Sequence, residues 1–352
     1  MMYLSCAAGF VLLFFGGEAL VRGAVDIARR LGIAPLVIAL TVVAFGTSAP
    51  ELLVSVQAAR GGNPDLALGN VVGSCIANVA LILGFASLVR PLRAHKDEIR
   101  LDLYAMLGAF ALLALFSRIG YIGRAAGVVM VGLLGLFIVS SYQRDRRRQA
   151  RRREASADGG PDDACEVALE VLSGSSGDEE LRAAALEVCE DWRVEEVREV
   201  PPTPQLPVSI VLVLAGLAGL VFGANLLVSG ATRIAETFGV PDAVIGLTVV
   251  AIGTSLPELT TSVIATYHHQ PDVAVGNVLG SNVFNVLAIL GITAIIAPIT
   301  VASSIARADI AFMFAAGIIV TVLLLTRERI GRLAGGLLFA AYLAYLVSLF
   351  VS

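Results

Sequence analysis

Two glutamates stand in the middle of long apolar stretches, and each belongs to the same short sequence. The first copy reads GTSAPE over residues 46–51, and the second reads GTSLPE over residues 253–258. A charge at the centre of a membrane span costs roughly 2.5–3.5 kcal/mol on the insertion scale, so such residues are usually functional. We therefore take Glu51 and Glu258 as the first candidates for a functional site.

Further oxygen atoms surround each glutamate. The proline before each one has no N–H, so the carbonyl of Gly46, and of its counterpart Gly253, is left free one turn earlier. Thr47 and Thr254 precede the glutamates by four residues, which predicts that hydroxyl and carboxylate share a helix face. Carboxylate, hydroxyl and carbonyl oxygens suit Ca²⁺ or Na⁺ rather than Zn²⁺ or copper.

A polar stripe follows in the next apolar stretch of each copy. Its members are spaced by four residues: Asn70, Ser74 and Asn78 in the first copy, and Asn277, Ser281 and Asn285 in the second. Such a stripe can line a cation pathway, supply oxygens to it, or hydrogen-bond one helix to another. Glycines at 69, 73, 276 and 280 would allow backbones to approach closely.

The composition places these motifs in a membrane. Hydrophobic residues make up 57% of the chain, charged residues 15%, and mean hydropathy is +0.83. A soluble domain carries about 25% charged residues. Stretches long enough to span a bilayer lie near 4–27, 33–59, 65–89, 101–117, 121–142, 207–234, 240–267, 272–297, 306–325 and 331–351. We read the first as a span and not as a removable signal peptide.

The sequence repeats itself after 207 residues. Residues 40–84 and 247–291 align without gaps and share 27 identities in 45 positions. Each half holds five predicted spans, an odd number, so the second half must enter the membrane from the opposite side. The sequence therefore predicts an all-α polytopic membrane protein with ten transmembrane helices in two inverted five-helix repeats, a layout common among secondary transporters.

Charge sets the predicted orientation and domain boundaries. Arginines and lysines cluster after the first, third, fifth and ninth spans, which places those loops in the cytoplasm and both termini outside. The predicted domains are a first repeat at 1–142, a cytoplasmic acidic loop at 143–206 and a second repeat at 207–352. That loop carries 10 Arg and 16 Asp or Glu. We expect a multi-pass protein of the plasma membrane or bacterial inner membrane.

The remaining composition argues against other partners and chemistries. The basic residues form one short run beside apolar spans, so we expect no nucleic-acid partner. The four cysteines form no CxxC pair, which favours free thiols. The chain contains no nucleotide-binding loop and no GxSxG or HExxH pattern, so we expect neither ATP drive nor an enzyme.

At its two motifs the chain resembles the sodium/calcium exchanger family, within the cation/Ca²⁺ exchanger superfamily. The resemblance is carried by GTSAPEL with GNVVGSCIANV and by GTSLPEL with GNVLGSNVFNV, and it extends to the five-plus-five layout. It implies ten helices with ion sites between the second, third, seventh and eighth. It also implies Ca²⁺ and Na⁺ as transported substrates, a lipid bilayer as the surroundings and no cofactor. We expect a functional monomer.

The resemblance also implies a role for each motif residue. Glu51 and Glu258 would be the central Ca²⁺ ligands and would also bind Na⁺. The other implied ligands are Thr47 and Thr254 at the Ca²⁺ site, Ser48, Ser74, Ser255 and Ser281 with the carbonyls of Ala44 and Ala251 at flanking Na⁺ sites, and Asn78 and Asn285 at the centre. Many relatives carry Asp where this chain has Asn285, which argues against K⁺ co-transport.

Several functions remain open at this stage. The leading hypothesis is an antiporter that exchanges Na⁺ for Ca²⁺ by alternating access. An H⁺/Ca²⁺ antiporter or a K⁺-dependent Na⁺/Ca²⁺ exchanger is the alternative within the class. A passive cation channel fits inverted repeats with broken helices less well, and an intramembrane enzyme would lack its nucleophile and base.

Overall fold

The computed structural model describes residues 2–31, 33–157, 206–238, 251–301 and 305–351, and they are mostly helical. The helices are α1 Met2–Leu31, α2 Pro35–Ile38, α3 Ala44–Thr47, α4 Ala49–Arg60, α5 Pro64–Ile76, α6 Leu83–Val89, α7 Lys96–Ile119, α8 Arg124–Ala157, α9 Leu206–Thr237, α10 Ala251–Thr254, α11 Leu256–Tyr267, α12 Pro271–Phe284, α13 Gly291–Ile296, α14 Ile305–Arg327 and α15 Arg332–Val351. Segments of π-helix, Ala39–Val43, Ala77–Ile82 and Asn285–Leu290, join α2 to α3, α5 to α6 and α12 to α13. The strands are β1 Leu92–Arg93, β2 Tyr121–Ile122, β3 Ile299–Thr300 and β4 Arg329–Ile330.

Within these described ranges, seven helices are long and apolar enough to cross a membrane, and the bent pair Pro35–Thr47 and Ala49–Arg60 would make an eighth. Another apolar helix, Arg332–Ser348, is shorter. The predicted seventh span begins among residues 239–250, which lie outside the described residues. Most of the predicted acidic loop, residues 158–205, lies outside them as well.

Each motif with a glutamate breaks its helix at the serine before the proline. Ser48 has φ −83° and ψ 5°, and Ser255 has φ −89° and ψ 6°, so neither continues a regular α-helix. The axis bends by 44° between the helical segments on either side of Ser48. The prolines take the second position of α4 and α11, where the missing N–H has no helical partner to lose.

The helices with polar stripes are the most enclosed in the structure. In the spans Pro64–Val89 and Pro271–Ile296, 83% of the most apolar 18-residue window is buried, against 28–39% in the other candidate spans. A Cβ on Gly280 would lie 2.6 Å from the carbonyl oxygen of Leu40, so only glycine admits this contact. These stretches tolerate polar residues because protein surrounds them instead of lipid.

The predicted close approach at Gly69 and Gly73 is not seen among the described residues. No described atom lies within 4 Å of a Cβ built on either glycine. Their counterparts in the second half, Gly276 and Gly280, pack on Leu36 and Leu40. By the 207-residue shift of the repeat, the equivalent partners of Gly69 and Gly73 would be residues 243 and 247, which the structure does not describe.

The first helix of each predicted half packs against the other through glycines. Glycines recur every seven residues at 9, 16 and 23 of α1 and at 216, 223 and 230 of α9. A Cβ on Gly9 would lie 2.6 Å from the backbone nitrogen of Leu227, and one on Gly23 would lie 2.8 Å from the Ser209 carbonyl. Because contacts on α9 move back as those on α1 move forward, the two helices are antiparallel.

Glu18 connects this helix pair to the rest of the structure. Its carboxylate lies 2.5 Å from Arg22 on the same helix and 2.5 Å from His268 Nε2 at the end of α11. Glu18 thus pairs with Arg22, and with His268 when His268 is protonated.

Two short strand pairs connect loops that are far apart in sequence. Leu92 in β1 pairs with Ile330 in β4, and Tyr121 in β2 pairs with Thr300 in β3, both antiparallel. Each pair holds a loop of the first half against a loop of the second. Neither was predicted, because two-residue strands leave no alternation in the sequence.

We predict that Gly216→Ala will loosen the packing of α1 against α9. Its Cβ would lie 2.6 Å from the Leu20 nitrogen, and relief of such overlap costs about 1–3 kcal/mol. The thermal unfolding midpoint in detergent should fall. Gly132→Ala is the matched control, since no described atom lies within 4 Å of its Cβ. Equal midpoints for the two variants would contradict this packing.

Candidate cation-binding site

The two glutamates lie in the first turns of α4 and α11, immediately after the helix breaks. Each residue is only 1% exposed, and the two carboxylates lie close enough to repel each other. Both oxygens of Glu51 and Oε2 of Glu258 have no hydrogen-bond partner. Buried polar atoms without partners are uncommon in folded proteins, so this cluster calls for an explanation.

The serines at the breaks face the opposite half. The spacing from Ser48 to Glu51 matches the capping box of a helix N-terminus, yet Ser48 makes no capping hydrogen bond with its own helix. Its hydroxyl instead donates to Oε1 of Glu258 at 3.1 Å. Ser255 is the corresponding neighbour of Glu51, but its hydroxyl makes no hydrogen bond. The breaks thus direct each serine towards the carboxylate of the other motif.

Thr47 also reaches across to the second half. Its hydroxyl lies 3.3 Å from the carbonyl of Ala44 and 3.4 Å from Oδ1 of Asn277. The prediction that Thr47 would converge with Glu51 on one helix face assumed a continuous helix. The break at Ser48 lies between Thr47 and Glu51, and the Thr47 hydroxyl hydrogen-bonds to Ala44 in its own half and to Asn277 in the other.

The first asparagine of each stripe holds the helix with the glutamate in place. Asn70 Nδ2 donates to the carbonyl of Glu51 at 3.2 Å and to Ser55 at 3.0 Å. Asn277 Nδ2 lies 3.4 Å from the carbonyl of Glu258 and 3.1 Å from Ser262. Of the readings left open for the stripe, hydrogen bonding between helices is the one that these two residues follow.

The last asparagine of each stripe lies in a π-helical segment. Asn78 falls within Ala77–Ile82 and Asn285 begins Asn285–Leu290, and each is 1% exposed. Neither side chain has a hydrogen-bond partner on its oxygen or its nitrogen, and Ser281 Oγ has none either. Local π-helix is frequent at functional sites because it changes the direction of one side chain.

The other candidate residues lie on the same broken helices. Ser74 is buried on α5, and Thr254 is half-buried at the end of α10. The carbonyl of Ala44 accepts from the backbone nitrogen of Ser48 and from Thr47. Ala251 begins α10. The sequence reading passed over Ser55 and Ser262, although both recur in the repeat four residues after a glutamate.

The chemistry of this centre is that of oxygen ligands. Within the part of the chain that the structure describes, no group of three or more His, Cys, Asp or Glu residues could hold a metal ion. A cation here would be surrounded by two carboxylates with hydroxyl, amide and carbonyl oxygens. Hard cations such as Ca²⁺ prefer such a set.

Apolar helices around a buried, oxygen-lined centre define a multi-pass membrane protein of the transporter class. The family model for the sodium/calcium exchanger protein matches residues 2–143 and 208–351. The chain belongs to this family.

Individual relatives match over nearly their whole length. CaxA of Alkalimonas amylolytica, a candidate antiporter by its name, is 36% identical across 98% of this chain and 97% of its own. Inner membrane protein YrbG of Escherichia coli is 32% identical across 97% and 94%. Sodium/calcium exchanger MaX1 of Methanosarcina acetivorans is 32% identical across 99% and 98%. The solved sodium-calcium exchanger NCX_Mj superposes with a TM-score of 0.75 at 28% identity, covering 99% of both chains.

We predict that Asn277→Ala will destabilise the protein more than Asn70→Ala. Without the Asn277 amide, the Glu258 carbonyl, the Ser262 hydroxyl and the Thr47 hydroxyl each lose a hydrogen-bond partner. Leaving a buried polar group without a partner costs about 1–3 kcal/mol. Asn70 is half-buried, so water can replace part of what it loses. Thermal unfolding of the two variants in detergent tests the order. A midpoint lower for Asn70→Ala would contradict it.

Proposed function

We propose that the chain is a secondary-active antiporter that exchanges Na⁺ for Ca²⁺ by alternating access. The observation that carries the proposal is the pair of buried, neighbouring carboxylates, Glu51 and Glu258, with unpartnered oxygens at the breaks of two helices. The relative MaX1 is named a sodium/calcium exchanger, and the NCX_Mj crystals were soaked with Na⁺ and with Ca²⁺ or Sr²⁺.

The proposed ligands surround that pair. Glu51 and Glu258 would bind Ca²⁺ at the centre and Na⁺ in its absence. Around them, Thr47 and Thr254 would add oxygens for Ca²⁺, Asn78 and Asn285 would complete the centre, and Ser48, Ser74, Ser255 and Ser281 with the carbonyls of Ala44 and Ala251 would form flanking Na⁺ sites. Their partnerless oxygens support this assignment at Asn78, Ser255, Ser281 and Asn285.

Charge balance explains why one ion would exclude the other. With both glutamates ionised, the site carries a formal charge of −2 that one Ca²⁺ neutralises. Replacement of that Ca²⁺ then requires at least two monovalent ions, because an unpaired buried charge is costly. Ca²⁺ and Na⁺ would occupy overlapping positions, and mutually exclusive occupancy couples their movement in opposite directions.

The proposed topology is ten spans in two inverted repeats, with both termini outside and the 143–206 loop in the cytoplasm. The antiparallel packing of α1 on α9 supports opposite insertion of the two halves. The strand pairs support it too: the loop after the third span pairs with that after the ninth, and the loop after the fourth with that after the eighth. Odd-numbered loops therefore meet odd-numbered loops and even-numbered loops meet even-numbered ones, as ten alternating spans require. A bacterial inner membrane or plasma membrane is the proposed location.

Alternating access requires a part that moves against the site. The pair of α1 and α9 is the proposed moving part, since it packs on itself through glycines and lies beside the broken helices. The proposal includes no cofactor beyond the transported ions and a single chain as the working unit.

Coupling to H⁺ is the second candidate. The same two glutamates could carry protons in place of Na⁺, and an acidic pair alone does not distinguish the two. The serine hydroxyls beside both carboxylates favour Na⁺, because a hydrated metal ion needs several oxygens to replace its water whereas a proton needs one.

We predict that Ca²⁺ uptake requires Na⁺ on the opposite side. Purified protein in liposomes loaded with Na⁺, with K⁺ or with excess protons would be diluted into choline buffer that contains radiolabelled Ca²⁺. Uptake with internal Na⁺ alone is the expected result. Uptake driven by the pH gradient without Na⁺ would assign the protein to H⁺ coupling, and uptake without any counter-ion gradient would indicate a channel.

We predict that Glu51→Gln reduces Ca²⁺ uptake to the level of protein-free liposomes while the protein remains folded. The amide keeps the shape of the side chain and removes half of the formal charge that holds Ca²⁺. Glu258→Gln should behave alike. Asp65→Asn, an exposed acid on α5, is the matched control and should transport normally. Undiminished uptake by Glu51→Gln would disprove the assignment.

A further inference from the structure

One position next to the site differs between the two motifs in chemical class. Ser74 and Asn78 of the first copy are matched by Ser281 and Asn285 in the second. Between them, Cys75 corresponds to Asn282. The two halves therefore supply the same oxygen ligands, and the first half adds a sulfur atom.

The sulfur of Cys75 lies beside the proposed cation site. Cys75 is fully buried, and its sulfur is 4.0 Å from the backbone carbonyl of Asn282 in the opposite half. The Asn285 amide and the Glu51 carboxylate are its neighbours. Asn282 itself donates to the carbonyl of Val278 on its own helix at 2.8 Å, so its amide nitrogen is already engaged.

The groups beside the sulfur are available to a ligand. Both carboxylate oxygens of Glu51 and both polar atoms of the Asn285 side chain are buried and have no hydrogen-bond partner. Each of these residues is 1% exposed. The sulfur is thus buried near an amide and a carboxylate that have no hydrogen-bond partners. A purely hard cation uses only the oxygens, whereas a soft or borderline cation also gains from the sulfur.

We propose that Cys75 is a ligand that extends the specificity of this site to thiophilic divalent cations, of which Cd²⁺ is the representative. Cd²⁺ is close to Ca²⁺ in charge and size, so it meets the same carboxylates and bonds the sulfur in addition. As the Cd–S bond forms, the S–H bond breaks and the proton passes to the water displaced by the ion; nothing is oxidised or reduced. The inference rests on the proposed cation site at Glu51 and Glu258.

The decisive comparison is made in a background without the other thiols. Cys6, Cys165 and Cys189 are changed to Ser, and Cys75 is either kept or changed to Ser. In proteoliposomes, the Cd²⁺ concentration that halves Ca²⁺ uptake should rise by about tenfold or more on Cys75→Ser, because a soft ligand contributes to Cd²⁺ binding and little to Ca²⁺ binding. The KM for Ca²⁺ should change by much less than this. A merely structural role for Cys75 would move both values together.

A spectroscopic measurement tests the bond itself. Cd²⁺ added to the detergent-solubilised protein that keeps Cys75 should produce the ultraviolet charge-transfer band of a Cd–S bond. A variant that keeps Cys6 and carries Cys75→Ser, with the other two thiols removed, should produce none. If Cys75→Ser does not fold, Cys75→Asn, which restores the residue of the other half, takes its place. Absence of the band from the protein with Cys75 overturns the proposal.

The two proposals fail in different ways. Equal sensitivity to Cd²⁺ with and without the thiol, while Ca²⁺ uptake persists, overturns the role of Cys75 and leaves the exchange function intact. Loss of Ca²⁺ uptake from every variant and from the parent protein would instead overturn the exchange function. The Cd–S band would then still support a metal ligand at Cys75.

Discussion

The structure depends on two carboxylates that are buried side by side in an apolar interior. Neither glutamate could remain there as an isolated charge, because removing an ion from water costs several kcal/mol without compensation. The hydrogen bonds of the structure supply only part of that compensation: Ser48 donates to Glu258, whereas both carboxylate oxygens of Glu51 have no hydrogen-bond partner. The helices with the polar stripes are enclosed by other helices because lipid could not satisfy them.

The hydrogen bonds around the glutamates are similar in the two halves but not identical. Asn70 and Asn277 make two equivalent hydrogen bonds, yet Asn277 is fully buried and its side-chain oxygen also accepts a hydrogen bond from the hydroxyl of Thr47. Ser48 donates to the opposite carboxylate and Ser255 makes no hydrogen bond. The two halves therefore contribute unequally to the hydrogen bonds around the glutamates.

Sequence reasoning found the glutamates, the broken helices and the family. Hydrophobic periodicity, proline and an internal repeat can all be read from the sequence without knowing which helices are in contact. It did not find which helices face each other. Spacing along one helix placed Thr47 with Glu51 but gave no sign that the Thr47 hydroxyl also reaches Asn277 of the other half. The strand pairs and the partner of Glu18 were missed for the same reason. The ten-span count remains a prediction.

Movement in such a protein needs one tight interface and one that can shift. The tight interface is that between α1 and α9, where glycines bring backbone against backbone, so the two helices would move as one body. Towards the core, α1 instead presents Gly17 to the side chain of Ile264 and the charge of Glu18 to His268. Side-chain contacts of this kind, with the Glu18–His268 pair at the edge, can be exchanged for others at less cost than interlocked backbones. The packing thus places the yielding interface between the helix pair and the two glutamates, which is where the proposed alternating access would require it.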